Sequence, residues 1–308
     1  MKPAPQLRSV SIRVPASTSN LGAGFDTLGF ALDLHNTVRL VRGVRPGVAA
    51  ADAASRPGTA MAAEAAELFF KRTGAPSFGF KFSIRGRVPM SRGLGSSVTL
   101  RAGVVAGLNA LAGAKLTRRE IAALVHTLEG HPDNAAPAAL GGFCVGRTDP
   151  QTGELAGVVR RAIGRGLVFV VASPRQQVQT KQSRGVLPRR LPYFDAVKSI
   201  NSASYVTAAF LTGEFERLAH AVADFMHEPY RLPRIPGARD AIVAGVAAGA
   251  LTGWLSGSGS SVLCVARPAR AAKVGRAMSG AFAQTGVRCR VVRLQADNLG
   301  LQVVARGR

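Results

Sequence analysis

Alternating apolar and polar positions predict strands at residues 9–14 (SVSIRV) and 34–41 (LHNTVRLV), since successive strand side chains face opposite sides of a sheet. A glycine-containing turn over 17–29 separates them. Residues 43–58 are rich in Ala, Gly, Pro and Arg without periodicity, which predicts a mobile surface loop. Helical spacing over 59–72 is closed by Gly74 and Pro76. Alternation returns at 78–84 (FGFKFSI), leads into the glycine-rich residues 89–97, and a long Ala/Val/Leu helix over 98–111 follows at once. Thr117 with Glu120 three residues later forms a capping box for a helix running to about Leu128. Beyond the His-Pro-Asp-Asn turn come strand-like stretches at 141–147, 157–163 and 167–172.

The pattern then changes. Residues 173–192 form a polar, Arg-rich connection punctuated by prolines, too long and charged for an idle loop, and the domain junction is placed near it. Helices are expected at 199–212, 214–226, 237–249 and 269–285, with strands at 251–255, 261–266 and 287–294. Helices alternating with antiparallel-type strands in both halves indicate an α+β class. At about 150 residues per domain, 308 residues suggest two domains, 1–172 and 173–308. No internal repeat is visible.

Composition narrows the class further. A hydrophobic content of 47% excludes global disorder. The longest uncharged run, 241–266, is broken by a Gly-Ser cluster at 256–261 whose exposed backbone a bilayer would not tolerate, so no membrane span is expected. The N-terminal segment has no apolar stretch of signal-peptide length, so no export is implied. Cys144, Cys264 and Cys289 are too widely spaced for a CxxC pair and odd in number, and a reducing cytoplasm is the simplest compartment. The net charge of +23 attracts polyanions at long range without choosing among them. The basic residues are scattered and aromatics are only 6%, so no stacking platform for nucleic acid is visible.

Four segments carry candidate chemistry. Pro89-Met-Ser-Arg92-Gly93-Leu94-Gly95-Ser96-Ser97 sits where a strand ends and a helix begins. Gly93 and Gly95 let backbone N–H groups turn around an anion, and the helix start adds its free N–H groups and positive dipole end. The segment lacks the GK[ST] ending of a Walker loop and the third glycine of GxGxxG; an ordinary glycine turn capped by Ser is the alternative. Glu129-Gly-His131-Pro-Asp133-Asn134 packs two carboxylates, an imidazole and an amide into six residues. A carboxylate near a phosphate cradle suits Mg²⁺, which prefers oxygen ligands, although a polar turn at a helix end would look the same. Residues 15–26 (PASTSNLGAGFD) offer Asn20 and Asp26, where an acid can bind an ammonium or cap the turn; residues 255–261 (LSGSGSS) are weak alone.

In their order along the chain, RVPASTSNLGAGFDTLGFAL, VPMSRGLGSSV, EGHPDNAAPAALGGF, HEPYR and LSGSGSSV resemble the homoserine kinases. These belong to the small-molecule kinase superfamily that also includes galactokinase, mevalonate kinase and phosphomevalonate kinase. The resemblance implies an N-terminal α+β domain with a left-handed βαβ unit, a C-terminal ferredoxin-like domain, and a site between them. It implies ATP-dependent phosphorylation of the L-homoserine hydroxyl to O-phospho-L-homoserine, in threonine biosynthesis, with Mg²⁺. Pro89, Arg92, Gly93, Leu94, Gly95, Ser96 and Ser97 would hold the ATP phosphates, with Ser97 and Glu129 on the metal. Asp26 would take the substrate ammonium, Asn20, His131 and Asn134 would line the pocket, and Arg184 and Arg231 would bind the carboxylate, for which a planar fork is suited. Arg184, Asn134 and Asp133 are the catalytic candidates. Asp133 stands where some superfamily relatives carry a base, but the favoured reading has none, with the proton passing to phosphate while Asn134 orients the hydroxyl.

The partners so implied are L-homoserine and ATP, with no nucleic acid and no membrane, and a homodimer is the assembly considered. Val98 and Thr99 depart from the usual Ala-Ala, with bulk that could shift the helix from the cradle; Gly58-Thr59-Ala60 departs from an Asn-Leu pair near adenine, and Ser260 from a common proline. His35, His126, His220 and His227 read as surface or helix-packing residues, Cys144 and Cys264 as buried packing, and Trp254 as core. The alternatives are another kinase of the same superfamily, of mevalonate or shikimate type, and a basic nucleic-acid-binding protein.

Overall fold

The structure, a computed structural model, describes residues 7–307 apart from the side chains of residues 180, 181 and 220. The N-terminal stretch 1–6 and the side chain of His220, both assigned above, lie outside the described residues. Strands β1 (Ser9–Ser19) and β2 (Leu28–Arg42) pair antiparallel along their whole length. Both exceed the alternating stretches of the sequence, because near their turn almost every residue is buried on both faces and the alternation disappears.

The segment 43–58 is not an unstructured loop. It contains β3 (Val48–Ala50), which pairs parallel with β4 (Phe80–Gly86), and a 3₁₀ turn at Ala53–Gly58. Asp52 caps that turn by accepting hydrogen bonds from the Ser55 backbone N–H and hydroxyl. Three strand residues are too few to show a period, which is why the pattern misses them.

Helices α1 (Thr59–Thr73), α2 (Ser96–Ala112), α3 (Arg118–Glu129) and α4 (Pro132–Leu140) cover one side of the first sheet. The α3 capping box forms as expected between Thr117 and Glu120. The His-Pro-Asp-Asn segment is not only a turn: Pro132 opens α4, where its missing N–H costs nothing. Strands β5 (Phe143–Thr148) and β6 (Leu155–Arg161) extend this sheet through the start of β2.

The second sheet has the antiparallel order β10-β7-β9-β8, from Cys289–Leu294, Val168–Pro174, Val262–Ala266 and Thr252–Leu255. Helices α8 (Ala238–Ala247) and α9 (Pro268–Gln284) pack on it. The sheets do not part at residue 172: β7 already belongs to the second sheet, and β11 (Gln302–Gly307) returns to pair with β1 in the first. The short β11 carries no alternation of burial, so its partner, ten strands earlier in the order, is invisible locally.

Between the sheets lies a core in which Phe30 packs against Phe143, Phe169 and Phe210, with ring centroids 4.5 Å apart for Phe30 and Phe169. Burying such a side chain contributes about 1.5–3 kcal/mol, so this cluster fixes the two sheets against each other. Phe210 comes from α6 (Tyr193–Thr212), six residues longer at its start than the pattern suggests. The helix expected over 214–226 is instead a 3₁₀ turn at Phe215–His220. Asp224 then accepts from the N–H groups of Met226, His227 and Glu228 and starts a new short helix, α7 (Glu228–Arg231). The connection 173–192 holds α5 (Thr180–Arg184). Cys144, Cys264 and Trp254 are fully buried, and among the described residues no helix is long and apolar enough to cross a membrane.

Candidate active site

A cavity of about 380 Å³ opens where the β1–β2 turn, the starts of α2 and α4, α5, α7 and residues 257–258 converge. At one end the phosphate-loop candidate bends through left-handed backbone at Ser91, Gly93 and Gly95, with φ of 54°, 70° and 68°. Gly95 is the N-cap of α2 and supplies no side-chain cap. A Cβ at Gly93 would lie 1.9 Å from the Ser256 carbonyl oxygen, and one at Gly95 would lie 2.2 Å from Ser17 Oγ. Both glycines are thus required by close approach as well as by φ.

The second glycine loop, weak by itself in the sequence, is the brace on that approach. Ser256 Oγ donates to the Gly93 carbonyl (2.7 Å) and the Ser261 N–H to the Arg92 carbonyl (3.3 Å). Val98 and Thr99 do not disturb the helix start. Val98 is buried, and Thr99 Oγ1 donates to the Ser96 carbonyl (2.7 Å) while accepting from Asn36 Nδ2 (2.9 Å).

One turn along α2 from Ser97, Arg101 donates from Nη1 to Glu129 Oε1 (2.7 Å) and from Nη2 to Glu64 Oε2 (2.9 Å). Burial disfavours the Arg101 cation, but the two glutamates outweigh it and raise its pKa. The other Glu129 oxygen accepts from the Ser97 hydroxyl at 3.4 Å. An all-oxygen pair beside a phosphate loop is the donor chemistry Mg²⁺ favours.

The opposite wall is built by the β1–β2 turn. Asn20, Leu21 and Asp26 all adopt positive φ, 72°, 48° and 52°, unusual for residues with a Cβ. Asn20 Oδ1 accepts from the Asp26 N–H (3.1 Å), and its Nδ2 donates to the Gly257 carbonyl (3.2 Å). The Asp26 carboxylate faces Arg184 in a bidentate pair of 2.8 and 3.0 Å. Arg231, buried, donates to the carbonyls of Ser183 and Gly257, both at 3.3 Å. Burial and the neighbouring Arg184 push its pKa down to about 10 against the pull of Asp26, Asp133 and Asp224.

At the start of α4, His131 Nδ1 and Asp133 Oδ1 form a very short contact. Burial opposes the imidazolium, but Asp133, assisted by Asp26, holds the His131 pKa above its ordinary value. Ligand atoms of Asp26, His131 and Asp133 lie within 4.8 Å of one another. Asp26 is engaged by Arg184 and His131 by Asp133, and an imidazole is a poor Mg²⁺ ligand, so this trio suits that cation less than Ser97 and Glu129. Asn134, next on α4, accepts from Ser17 Oγ (2.7 Å) and donates to Ser19 Oγ (3.0 Å).

Asn20, Asp26, Arg92, Gly93, Gly95, Ser96, Ser97, Glu129, His131, Asp133, Asn134, Arg184 and Arg231 therefore all line one cavity. Pro89 and Leu94 do not; Leu94 is buried in the core between the sheets. Ser17, Ser19 and Arg101 join the site through Asn134 and Glu129 without being among the candidate residues of its sequence motifs. The serines share one face of β1 by the period of two, and Arg101 follows Ser97 by one helical turn, so both signals were present in the spacing.

Comparison with known proteins agrees with the architecture. Residues 60–142 match the GHMP kinases N terminal domain and residues 206–284 the GHMP kinases C terminal. A homoserine kinase of Moorella thermoacetica is 40% identical over 297 residues, covering 95% of this chain and 99% of that protein. One from Carboxydothermus hydrogenoformans is 35% identical over 298 residues, covering 94% of this chain and 95% of that protein. The crystal structure of a homoserine kinase from Cytophaga hutchinsonii superposes with a TM-score of 0.86 at 26% identity, over 99% of both chains. With that similarity running end to end, and the glycine-containing loops gathered at one cavity, the chain belongs to the homoserine kinase family of the GHMP kinases.

Proposed function

We propose that the protein transfers the γ-phosphoryl group of ATP to the side-chain hydroxyl of L-homoserine, giving O-phospho-L-homoserine and ADP. The observation that carries this reading is the wall formed by Asp26, Arg184 and Arg231, across the cavity from the α2 phosphate loop. A carboxylate beside two guanidiniums complements the ammonium and carboxylate of an amino acid, and a mevalonate or shikimate acceptor has no ammonium to use Asp26.

The start of α2 presents N–H groups and roughly half a positive charge to the phosphates, while Gly93 and Gly95 let the backbone come close. Ser97 and Glu129 would hold Mg²⁺, with Arg101 fixing the far oxygen of Glu129. When bound, Mg²⁺ neutralises phosphate charge as it develops in the transfer. Asn134, held on both sides by Ser17 and Ser19, orients the acceptor hydroxyl. The hydroxyl oxygen bonds to the γ-phosphorus, the bond to the bridging oxygen breaks, and ADP leaves with that electron pair. The Asp133 carboxylate is engaged by the imidazole of His131, and the hydroxyl proton passes to a phosphoryl oxygen.

The test is coupled ADP release with homoserine, mevalonate, shikimate or RNA as the added acceptor, with and without Mg²⁺. Turnover confined to homoserine and dependent on Mg²⁺ is expected; equal turnover with mevalonate, or none with homoserine, overturns the reading.

A further inference from the structure

His227 lies outside the residues that line the cavity and is completely buried behind them. Its Nε2 is 2.8 Å from the carbonyl oxygen of Gly22, which can only accept, so Nε2 carries the proton. In the neutral ring the lone pair on Nδ1 then faces Arg231 Nη1 across 3.5 Å. Gly22 sits in left-handed backbone (φ 72°) between Asn20 and Asp26, in the turn that carries the candidate ammonium partner. Arg231, the candidate carboxylate partner, is four residues on from His227. The Phe25 ring stacks on the imidazole, centroids 5.2 Å apart and planes 27° apart. Arg231 and Arg184 lie over the same Phe25 ring at 5.2 and 5.5 Å. One buried side chain thus touches both halves of the amino-acid wall, which come from segments about two hundred residues apart.

We infer that His227 is a positioning residue for the amino-acid substrate: it ties the Asn20–Asp26 turn to Arg231 and so sets the separation between the groups that receive ammonium and carboxylate. A packing role would need only its volume, which an aromatic hydrocarbon supplies; the tie needs a donor at Nε2. Burial, with Arg231 adding to it and Asp224 at 3.6 Å partly opposing, lowers the His227 pKa and keeps the ring neutral. A second cation beside Arg231 would push the guanidinium away, so neutrality belongs to the same function. The groups facing His227 are Asp224, Arg231, the Gly22 carbonyl and, at longer range, Asp26. The inference rests on the homoserine reading for the identity of the ligand, but the tie itself does not.

Two variants separate tie from volume. His227→Phe keeps the stack on Phe25 and loses both polar contacts, whereas His227→Gln places an amide donor near the position of Nε2. His227→Phe is expected to raise the KM for homoserine about tenfold or more, leaving kcat and the KM for ATP within about threefold. His227→Gln should recover most of that loss. In the substrate-free protein, amide hydrogen exchange over residues 20–26 should quicken in His227→Phe while residues 93–97 stay unchanged. Wild-type exchange at 20–26 with a wild-type homoserine KM, or equal increases in both KM values, would overturn the inference. Wild-type protein inert toward homoserine would instead overturn the proposed function, and the exchange comparison would still decide whether His227 holds the turn.

Discussion

Asp26 has two separable roles, because it both faces a guanidinium and sits at a positive φ of 52°. Asparagine tolerates that backbone, so Asp26→Asn isolates the charge. The Asp26–Arg184 pair is about one-third exposed on each side, and losing such a pair costs the fold no more than about 1 kcal/mol. Removing the partner of a substrate ammonium costs roughly 2–5 kcal/mol. Asp26→Asn should therefore lower kcat/KM for homoserine by about 30-fold to several thousandfold at nearly unchanged Tm, and steady-state kinetics beside thermal denaturation checks it. Glu228 offers a test against pH. The residue is half-buried overall, but its carboxyl points inward, Oε1 accepting from the Leu255 N–H at 2.6 Å, and burial pushes its pKa up to about 8. The folded state then holds a proton that the unfolded chain has released, so stability falls as pH rises from the ordinary glutamate value to about 8. Glu228→Gln, which keeps the acceptor oxygen, should raise Tm at pH 8 and leave it nearly unchanged near pH 4.5; a larger gain at the acid end would contradict the assignment.

Element packing decides whether the catalytic candidates meet. The start of α4 comes so close to β2 that a Cβ on Gly29 would stand 1.6 Å from the Asp133 carbonyl oxygen and 3.0 Å from Pro137. Gly29→Ala must push α4 away, carrying His131, Asp133 and Asn134 with it. Overpacking of this kind costs about 1–3 kcal/mol, and Asn134 would leave the 2.7 and 3.0 Å contacts that hold it to Ser17 and Ser19. The expected result is a lowered Tm together with a kcat loss that persists well below the melting range. Full kcat in a folded Gly29→Ala variant would show that the placement of α4 is not what orients the acceptor. The sequence pattern already contained α2, α3 and the glycine loop between β4 and α2 as contiguous signals. It did not contain α4, whose Ala- and Pro-rich residues 132–140 have no polar face, nor the break of the expected 214–226 helix by the Asp224 cap.

At the scale of the molecule, the chain closes on itself. β11 pairs with β1 from Ser9↔Gly307 to Arg13↔Gln302, and the preceding residues bind back to β2 through His35–Asp297 and the Asp33–Gln295 backbone contact. Ending the chain after Leu301 would leave β1 with an unpaired edge, a template for association with other chains. Such a truncation should lower Tm by several degrees, at about 2–4 °C per kcal/mol for a protein of this size, and promote aggregation measurable by light scattering. Retention of full Tm and monodispersity would show that β11 contributes nothing to the first sheet.

The sequence by itself determined the α+β class, most of the long helices, and the residue types and order of the site segments, because each of these is written in a few neighbouring positions: the 3.6-residue spacing, a capping box, two glycines ahead of a serine. It also contained, through its motifs, the membership that full-length similarity bears out. Only the tertiary structure decided which of these segments meet. The pairing of β11 with β1, the passage of β7 into the second sheet, and the bracing of Gly93 by Ser256 join residues from about ninety to nearly three hundred positions apart. No local pattern specifies such contacts, since their free energy comes from burial and hydrogen bonding that exist only once both partners are in place. His227 shows the same division at a single residue: in the chain it is one more histidine in a polar stretch, and its partners Gly22 and Phe25 become visible only where the fold closes over them.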